Sequence, residues 1–330
     1  MPRPGEKELE RLFDKAGKLE NHAPHHVLNT PKVLKTLSKE VSAYVFTGGA
    51  ENVIMFAGFS DGLILKYEIS KIIIEKNQRY LALIGHTNKI NHMLIVGDQL
   101  YTAAQDCTVR QWGVANEQCT RVFKFQDPVL SQTFHPEHNF LFTGSWDKQV
   151  RAIDLKTSEI DRAFVASKDV IKCVHFHDKW LFVAGLDPII RSYNLTTGEV
   201  TLFNGHTSWV LAMQGYQSLT DAGDVKYNWL FSASDDSSIR VWDLKTAQCL
   251  DELQGHKSGI TAMSFINNQI FTGSYDHYVI VWSLPDIENK IRELQIMKAE
   301  DLRSKKFEAF ESFMESKGKR KKPAKKKGKK

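Results

Sequence analysis

The stretch "SASDDSSIRVWDLKT", Ser232 to Thr246, sets two carboxylates at a turn and follows them with an alternation of polar and apolar residues ending in Trp-Asp. Taken alone it reads equally as an acidic dyad or as the corner of a hairpin. The number of copies decides. An Asp followed six residues later by an aromatic or large apolar residue occurs six times, at Asp61 and Tyr67, Asp106 and Trp112, Asp147 and Ile153, Asp187 and Tyr193, Asp236 and Trp242, and Asp276 and Trp282. Successive aspartates lie 45, 41, 40, 49 and 40 residues apart. Such a near-constant period marks an array of one supersecondary unit. A catalytic acid is not needed six times, whereas a hairpin corner is.

Each unit reads as four short strands with turn signals between them. In the last, "ITAMSF", "QIFTGSY" and "YVIVWSL" are separated by Asn-Asn and Asp-His. One small antiparallel sheet cannot bury both of its faces, but several packed radially can, and their edges are then short and protected.

Gly-His about twenty residues before the turn Asp, Ser or Thr four before it and Trp six after it resemble the WD-repeat (WD40) family of β-propellers. Three repeats carry the full set: His86, Thr102, Asp106, Trp112; His206, Ser232, Asp236, Trp242; and His256, Thr272, Asp276, Trp282. The resemblance covers about three quarters of the chain and implies that these four side chains form a hydrogen-bonded tetrad in each blade. A buried carboxylate is costly unless donors satisfy it, and the relay of ring, hydroxyl and indole supplies them. The third repeat keeps Thr143 and Asp147 but has "FQDP" for Gly-His and Ile153 for Trp; the fourth has Val183 and Tyr193, the first Ala57 and Tyr67. Those blades are expected to rely more on apolar packing.

The expected fold is all-β: a propeller of six recognisable repeats over residues 33–285, with α-helical extensions at both ends. Seven is the commonest blade count in the family, but neither residues 1–40 nor the C-terminal end has a strand pattern for a seventh. "VLKTL", Val33 to Leu37, is expected to supply the outer strand of the last blade. Residues 1–32 read as a short amphipathic helix, with Leu9, Leu12, Phe13 and Leu19 at helical spacing, followed by a His-rich and Pro-containing linker. Beyond Pro285 the apolar period changes to about 3.6, so residues 286–316 read as one long or two shorter helices, docked on the propeller rim or gripping a separate partner.

Charge is unevenly spread. The formal net charge of +5 conceals ten Lys or Arg and no acid in residues 317–330, "KGKRKKPAKKKGKK", leaving 34 bases against 39 acids elsewhere. A tail of that composition cannot fold alone, and it suits phosphate backbones, nuclear import receptors or anionic lipid. Lys319, Arg320, Lys321, Lys322, Lys325, Lys326 and Lys327 are the candidate nucleic-acid-binding or targeting residues. The N-terminus lacks the apolar run of a signal peptide and no stretch approaches membrane-spanning length, so secretion is not expected.

No phosphate loop, nucleophile elbow, zincin helix or kinase signature occurs, so no enzymatic activity, cofactor or metal is expected. His135 and His138 in "HPEH", and His175 and His177 in "HFHD", have metal-ligand spacing but are expected at the turn leaving the second strand-like run of a blade, and so read as turn residues. The four cysteines are scattered singly and read as small hydrophobes. Function is therefore expected on surfaces, because this fold is a platform and does not name a reaction. By position in the family pattern, the residue before each turn Asp and the start of each inner strand face the narrow mouth. Ser60, Gln105, Trp146, Leu186, Asp235 and Tyr275 occupy the first position, with Lys89, Asp169 and Trp209 from the second. Trp146, Trp209 and Tyr275 either bind partners or pack against neighbouring blades. The functional expectation is a non-enzymatic scaffold for protein or peptide partners whose tail brings it to RNA or a ribonucleoprotein in the nucleus or nucleolus; the alternative is a cytoplasmic adaptor in signalling, trafficking or ubiquitin transfer.

Overall fold

The computed structural model describes residues 41–48, 53–68, 80–220 and 223–318. Six antiparallel sheets follow one another along the chain. Blade 1 comprises β1 (Val41–Thr47), β2 (Ile54–Phe59), β3 (Ile64–Glu68) and β4 (Tyr80–Leu83); blade 2 comprises β5 (Ile90–Val96), β6 (Gln99–Ala104), β7 (Thr108–Gly113) and β8 (Cys119–Lys124). Blade 3 is β9 (Val129–His135), β10 (Phe140–Ser145), β11 (Gln149–Asp154) and β12 (Glu159–Val165), and blade 4 is β13 (Ile171–His177), β14 (Trp180–Gly185), β15 (Ile190–Asn194) and β16 (Val200–Phe203). Blade 5 contains β17 (Val210–Leu219), β18 (Val225–Ser234), β19 (Ser238–Asp243) and β20 (Cys249–Gln254). Blade 6 has three strands among the described residues, β21 (Ile260–Ile266), β22 (Gln269–Ser274) and β23 (Val279–Ser283). In each sheet the strands pair in sequence order, a plain meander. The protein is an all-β propeller of six blades with one C-terminal helix, α1 (Leu284–Gly318). The expected N-terminal helix, the Val33 to Leu37 strand and residues 319–330 lie outside the described residues.

The repeated aspartate has one local role in all six blades. It sits at the turn between second and third strands, and its Oδ1 accepts the backbone N–H two residues on: Leu63, Thr108, Gln149, Ile189, Ser238 and Tyr278, at 2.9 to 3.1 Å. This side-chain mimic of a backbone turn is what Asp does well at a tight corner. The fifth repeat is longest because its first hairpin is extended, with ten-residue strands β17 and β18. That extension separates His206 from Asp236 without disturbing the corner.

The core lies between sheets. Phe56, Ile64 and Leu83 of blade 1 meet Ile90, Met93, Leu100 and Trp112 of blade 2. Tyr101 and Val109 meet Val129, Leu141 and Ile153 across blades 2 and 3, and Phe182 and Phe203 meet Val210, Leu230 and Trp242 across blades 4 and 5. The residue six after the turn Asp thus points at the preceding blade, where Ile153 substitutes for an indole. Each buried aliphatic or aromatic side chain here contributes roughly 1.5–3 kcal/mol. Polar bonds also cross the seams: Val174 N–H donates to Ser131 Oγ at 2.9 Å, and Gly215 N–H to His175 Nε2 at 2.8 Å.

Helix α1 begins where Pro285, tolerated in a first helical turn, follows Ser283, whose Oγ accepts the Asp286 N–H. Leu284, Ile287 and Ile291 join the core cluster between blades 5 and 6, together with Trp229, Phe231 and Ile260. Tyr216 Oη donates to Glu288 at 2.6 Å and Lys290 pairs with Asp251. Ile296 and Met297, further along, are exposed. The first turns of α1 are part of the core of the last two blades.

Candidate protein-binding mouth

The three tetrads are assembled side chain by side chain. In blade 2 the Trp112 indole N–H donates to Thr102 Oγ1 at 2.9 Å, that hydroxyl lies 2.7 Å from His86 Nε2, and His86 Nδ1 lies 2.8 Å from Asp106 Oδ2. Each proton is accounted for if the hydroxyl donates to Nε2 and Nδ1–H donates to the carboxylate. Blades 5 and 6 repeat the geometry through Trp242, Ser232, His206 and Asp236, and through Trp282, Thr272, His256 and Asp276, at 2.7 to 2.9 Å. Burial alone would raise Asp106 and Asp236. The bonds from His86 and Thr108, and from His206 and Ser238, outweigh it and hold both carboxyls well below the usual range. The glycine before the histidine is needed for space: a Cβ on Gly205 would sit 2.7 Å from Arg240 Nη1 and 2.8 Å from Trp242.

Blades 3 and 4 show what replaces a missing histidine. Arg151 pairs with Asp147 and Arg191 with Asp187, each at 2.5 Å and four residues after the aspartate. These blades therefore do not rest on apolar packing alone. The signal is in the sequence, for Arg110 and Arg240 occupy the same position in blades 2 and 5. Where histidine holds the carboxylate, the arginine turns outward: Arg240 pairs with Glu252 at 2.6 Å and Arg110 lies against Cys119 Sγ at 3.9 Å. In blade 1, Lys66 pairs with Glu117 of the neighbouring blade and donates to Val114 O at 2.8 Å.

The residue before the turn Asp is fixed equally regularly. Gln105, Trp146, Leu186, Asp235 and Tyr275 donate their backbone N–H to the carbonyls of Lys89, Pro128, Val170, Trp209 and Gly259, at 2.8 to 3.1 Å. The second strand's end and the first strand's start are thereby locked at the same end of blades 2 to 6. Asp169 immediately precedes Val170, and its carboxylate accepts the Val170 N–H. The aromatic members are about half exposed or more: Trp146 by 46%, Trp209 by 48% and Tyr275 by 64%. Asp235 accepts from Ser208 Oγ at 3.2 Å. At the axis a cavity of about 250 Å3 is lined by Ser42, Lys89, Asn91, Leu130, Lys172, Leu211, Thr261 and Tyr275, one or more from every blade.

The other candidates resolve differently. His175 and His177 are not turn residues but lie within β13, the first strand of blade 4, and are spent on inter-blade bonds, His177 Nε2 to Asn228 Oδ1 at 2.9 Å. His135 is buried and stacked on Phe176, and its ligand atom comes within 4.8 Å of those of Glu137 and His138 at the β9–β10 turn. The four cysteines are free thiols, with Cys119 exposed.

Comparison with known proteins agrees with this geometry. The family model described as WD domain, G-beta repeat matches residues 117–154, 198–243 and 247–283. The chain carries WD repeats at these residues. Its curated relatives include the ribosome biogenesis protein WDR12 homolog of Arabidopsis thaliana, 24% identical over 56% of this chain and 49% of that protein. Transducin beta-like protein 3 of Rattus norvegicus is 24% identical over 62% of this chain and 25% of its own length. The F-box/WD repeat-containing protein sel-10 of Caenorhabditis elegans is 35% identical over 30% of this chain and 16% of its own. This WD-repeat chain thus matches about half the length of the WDR12 homolog. Among solved structures, the computationally designed Ika8 protein superposes with a TM-score of 0.59 at 22% identity, over 76% of this chain and 73% of that one. That likeness concerns the fold.

Proposed function

We propose that this WD-repeat chain is a non-enzymatic scaffold that holds a protein or peptide partner on the mouth, while its lysine-rich end brings the assembly to RNA or a ribonucleoprotein in the nucleus. The exposed aromatic residues Trp146, Trp209 and Tyr275 carry this reading, because large aromatic side chains left in water at the same end of several blades are typical interface anchors. The ribonucleoprotein context is supported by the likeness to a ribosome biogenesis protein and by the ten bases of residues 317–330. Lysine-rich ends recognise phosphate charge and not base sequence. The likeness to an F-box/WD repeat protein favours the second reading, a cytoplasmic adaptor.

Crosslinked affinity purification separates the two. The intact protein, a form lacking residues 317–330, and Trp146→Ala with Trp209→Ala are each compared with and without nuclease. Nuclease-sensitive partners lost with the tail are the expected result, together with loss of the direct protein partner in the double tryptophan variant at nearly unchanged melting temperature. Partners indifferent to tail and nuclease would transfer the protein to the adaptor class. A large drop in melting temperature would make the two indoles structural.

A further inference from the structure

The axial cavity has an unmet electrostatic demand. Lys89 immediately precedes β5 of blade 2 and Lys172 lies in β13 of blade 4, so two lysines from non-adjacent blades line one open cavity. Neither side chain forms an ion pair or hydrogen bond with another described residue, and none of the lining residues is a carboxylate. Three of the other donors are spent: Ser42 Oγ donates to Gly58 O, Thr261 Oγ1 to Gly273 O, and Asn91 Nδ2 to Val129 O at 2.9 Å, which leaves the Tyr275 hydroxyl as a further donor. Leu130 and Leu211 supply apolar wall, which strengthens any charge interaction inside. Burial first, and then the charge of Lys89, lower the Lys172 pKa below the usual lysine range. A cation held near a second cation in a cavity without a carboxylate is a site awaiting an anion.

Resting on the reading of the mouth as the partner surface, we propose that the axial cavity receives the carboxylate of a Glu or Asp side chain from the bound partner peptide, clamped between Lys89 and Lys172. The size fits: about 250 Å3 lies below the roughly 300–1,000 Å3 of pockets for whole small molecules and suits one or two side chains. The exposed Trp146, Trp209 and Tyr275 around the entrance offer contact area to the residues flanking the acid. Asp169 and Asp235 on the same rim would repel a polyacidic tract, so the motif is one or two acids flanked by apolar residues. A carboxylate inserted there exchanges the repulsion between two lysines for two charge-assisted contacts.

The test is fluorescence-anisotropy titration of the full chain with a labelled peptide, Gly-Leu-Ala-Glu-Glu-Ala-Leu-Gly-Ser. Controls are the same peptide with Gln for both Glu residues, and inorganic phosphate as competitor. The Glu peptide should bind at least tenfold more tightly than the Gln peptide, and Lys89→Met with Lys172→Met should lose at least tenfold. Lys172→Met alone should lose about threefold and melt no lower than the wild type, because like-charge repulsion is relieved. Equal binding of both peptides, no binding of the Glu peptide below 1 mM (roughly the weakest affinity worth −4 kcal/mol), or unchanged binding by the lysine variants would overturn the proposal. Competition by phosphate as effective as by unlabelled Glu peptide would also overturn it, making the cavity a general anion site. Retention of the natural partner by the lysine variants but not by Trp146→Ala with Trp209→Ala would leave the mouth standing and remove the carboxylate clamp.

Discussion

Removing His206 should cost far less than its two buried hydrogen bonds suggest, because Arg240 can take its place. His206→Ala deletes one bond to the neutral hydroxyl of Ser232 and one to the carboxylate of Asp236, 2.7 and 2.8 Å long. Bonds of these kinds contribute about 0.5–1.5 and 1.5–3 kcal/mol respectively, so the bare loss is about 3 kcal/mol. Arg240, four residues after the aspartate, stands where Arg191 pairs with Asp187 in blade 4, and its Nη1 already lies close to Gly205. Turning inward abandons the partly exposed pair with Glu252, which is worth about 0–1 kcal/mol, and satisfies the buried carboxylate instead. The expected cost of His206→Ala is therefore about 1.5 kcal/mol, rising to about 3 kcal/mol in an Arg240→Met background. Urea denaturation followed by circular dichroism and tryptophan fluorescence gives the coupling energy of this double-mutant cycle, expected at about 1.5 kcal/mol. The cavity left by the imidazole is common to both backgrounds and cancels. Blade 6 is the internal control: Ile280 occupies the arginine position, so His256→Ala should lower the melting temperature more than His206→Ala does. Coupling below about 0.5 kcal/mol would refute the substitution of arginine for histidine.

Two further outcomes follow from buried charge. Burial pushes His92 and His175 down to about 4, with His177 adding to the effect at His175, so both are neutral in the folded state well below the pH at which the unfolded chain protonates them. Their contribution is full above about pH 6.5 and is lost as pH falls toward 4, by about 3 kcal/mol each; the urea midpoint should fall across that window, and a flat profile would contradict it. Arg191→Met should destabilise by about 3–5 kcal/mol by stranding Asp187. Adding Asp187→Asn, which retains an acceptor for the Ile189 N–H, should recover part of that loss in the same denaturation assay.

The period of six aspartates was sufficient to define the architecture, because an Asp corner satisfies its turn through an N–H only two residues away, and such local chemistry is written in adjacent letters. The tetrads were legible for the same reason, as fixed offsets within a single blade. Other features required the assembled fold. That Arg151 and Arg191 take over from histidine depends on which group reaches the carboxylate first, a competition between His and Arg that no single offset displays. Helix α1 contributes Leu284, Ile287 and Ile291 to a core whose strands reach back to Trp229 of blade 5, so its docking arises from tertiary packing. The pairing of Lys89 with Lys172 across the axis is the extreme case. These residues lie two blades apart, and only radial packing turns their separation along the chain into two charges lining one cavity. Sequence by itself determined the repeating unit, its corners and the asymmetric charge of the C-terminal end; the tertiary structure decided which side chains share a space, because convergence at the axis depends on how all the blades pack.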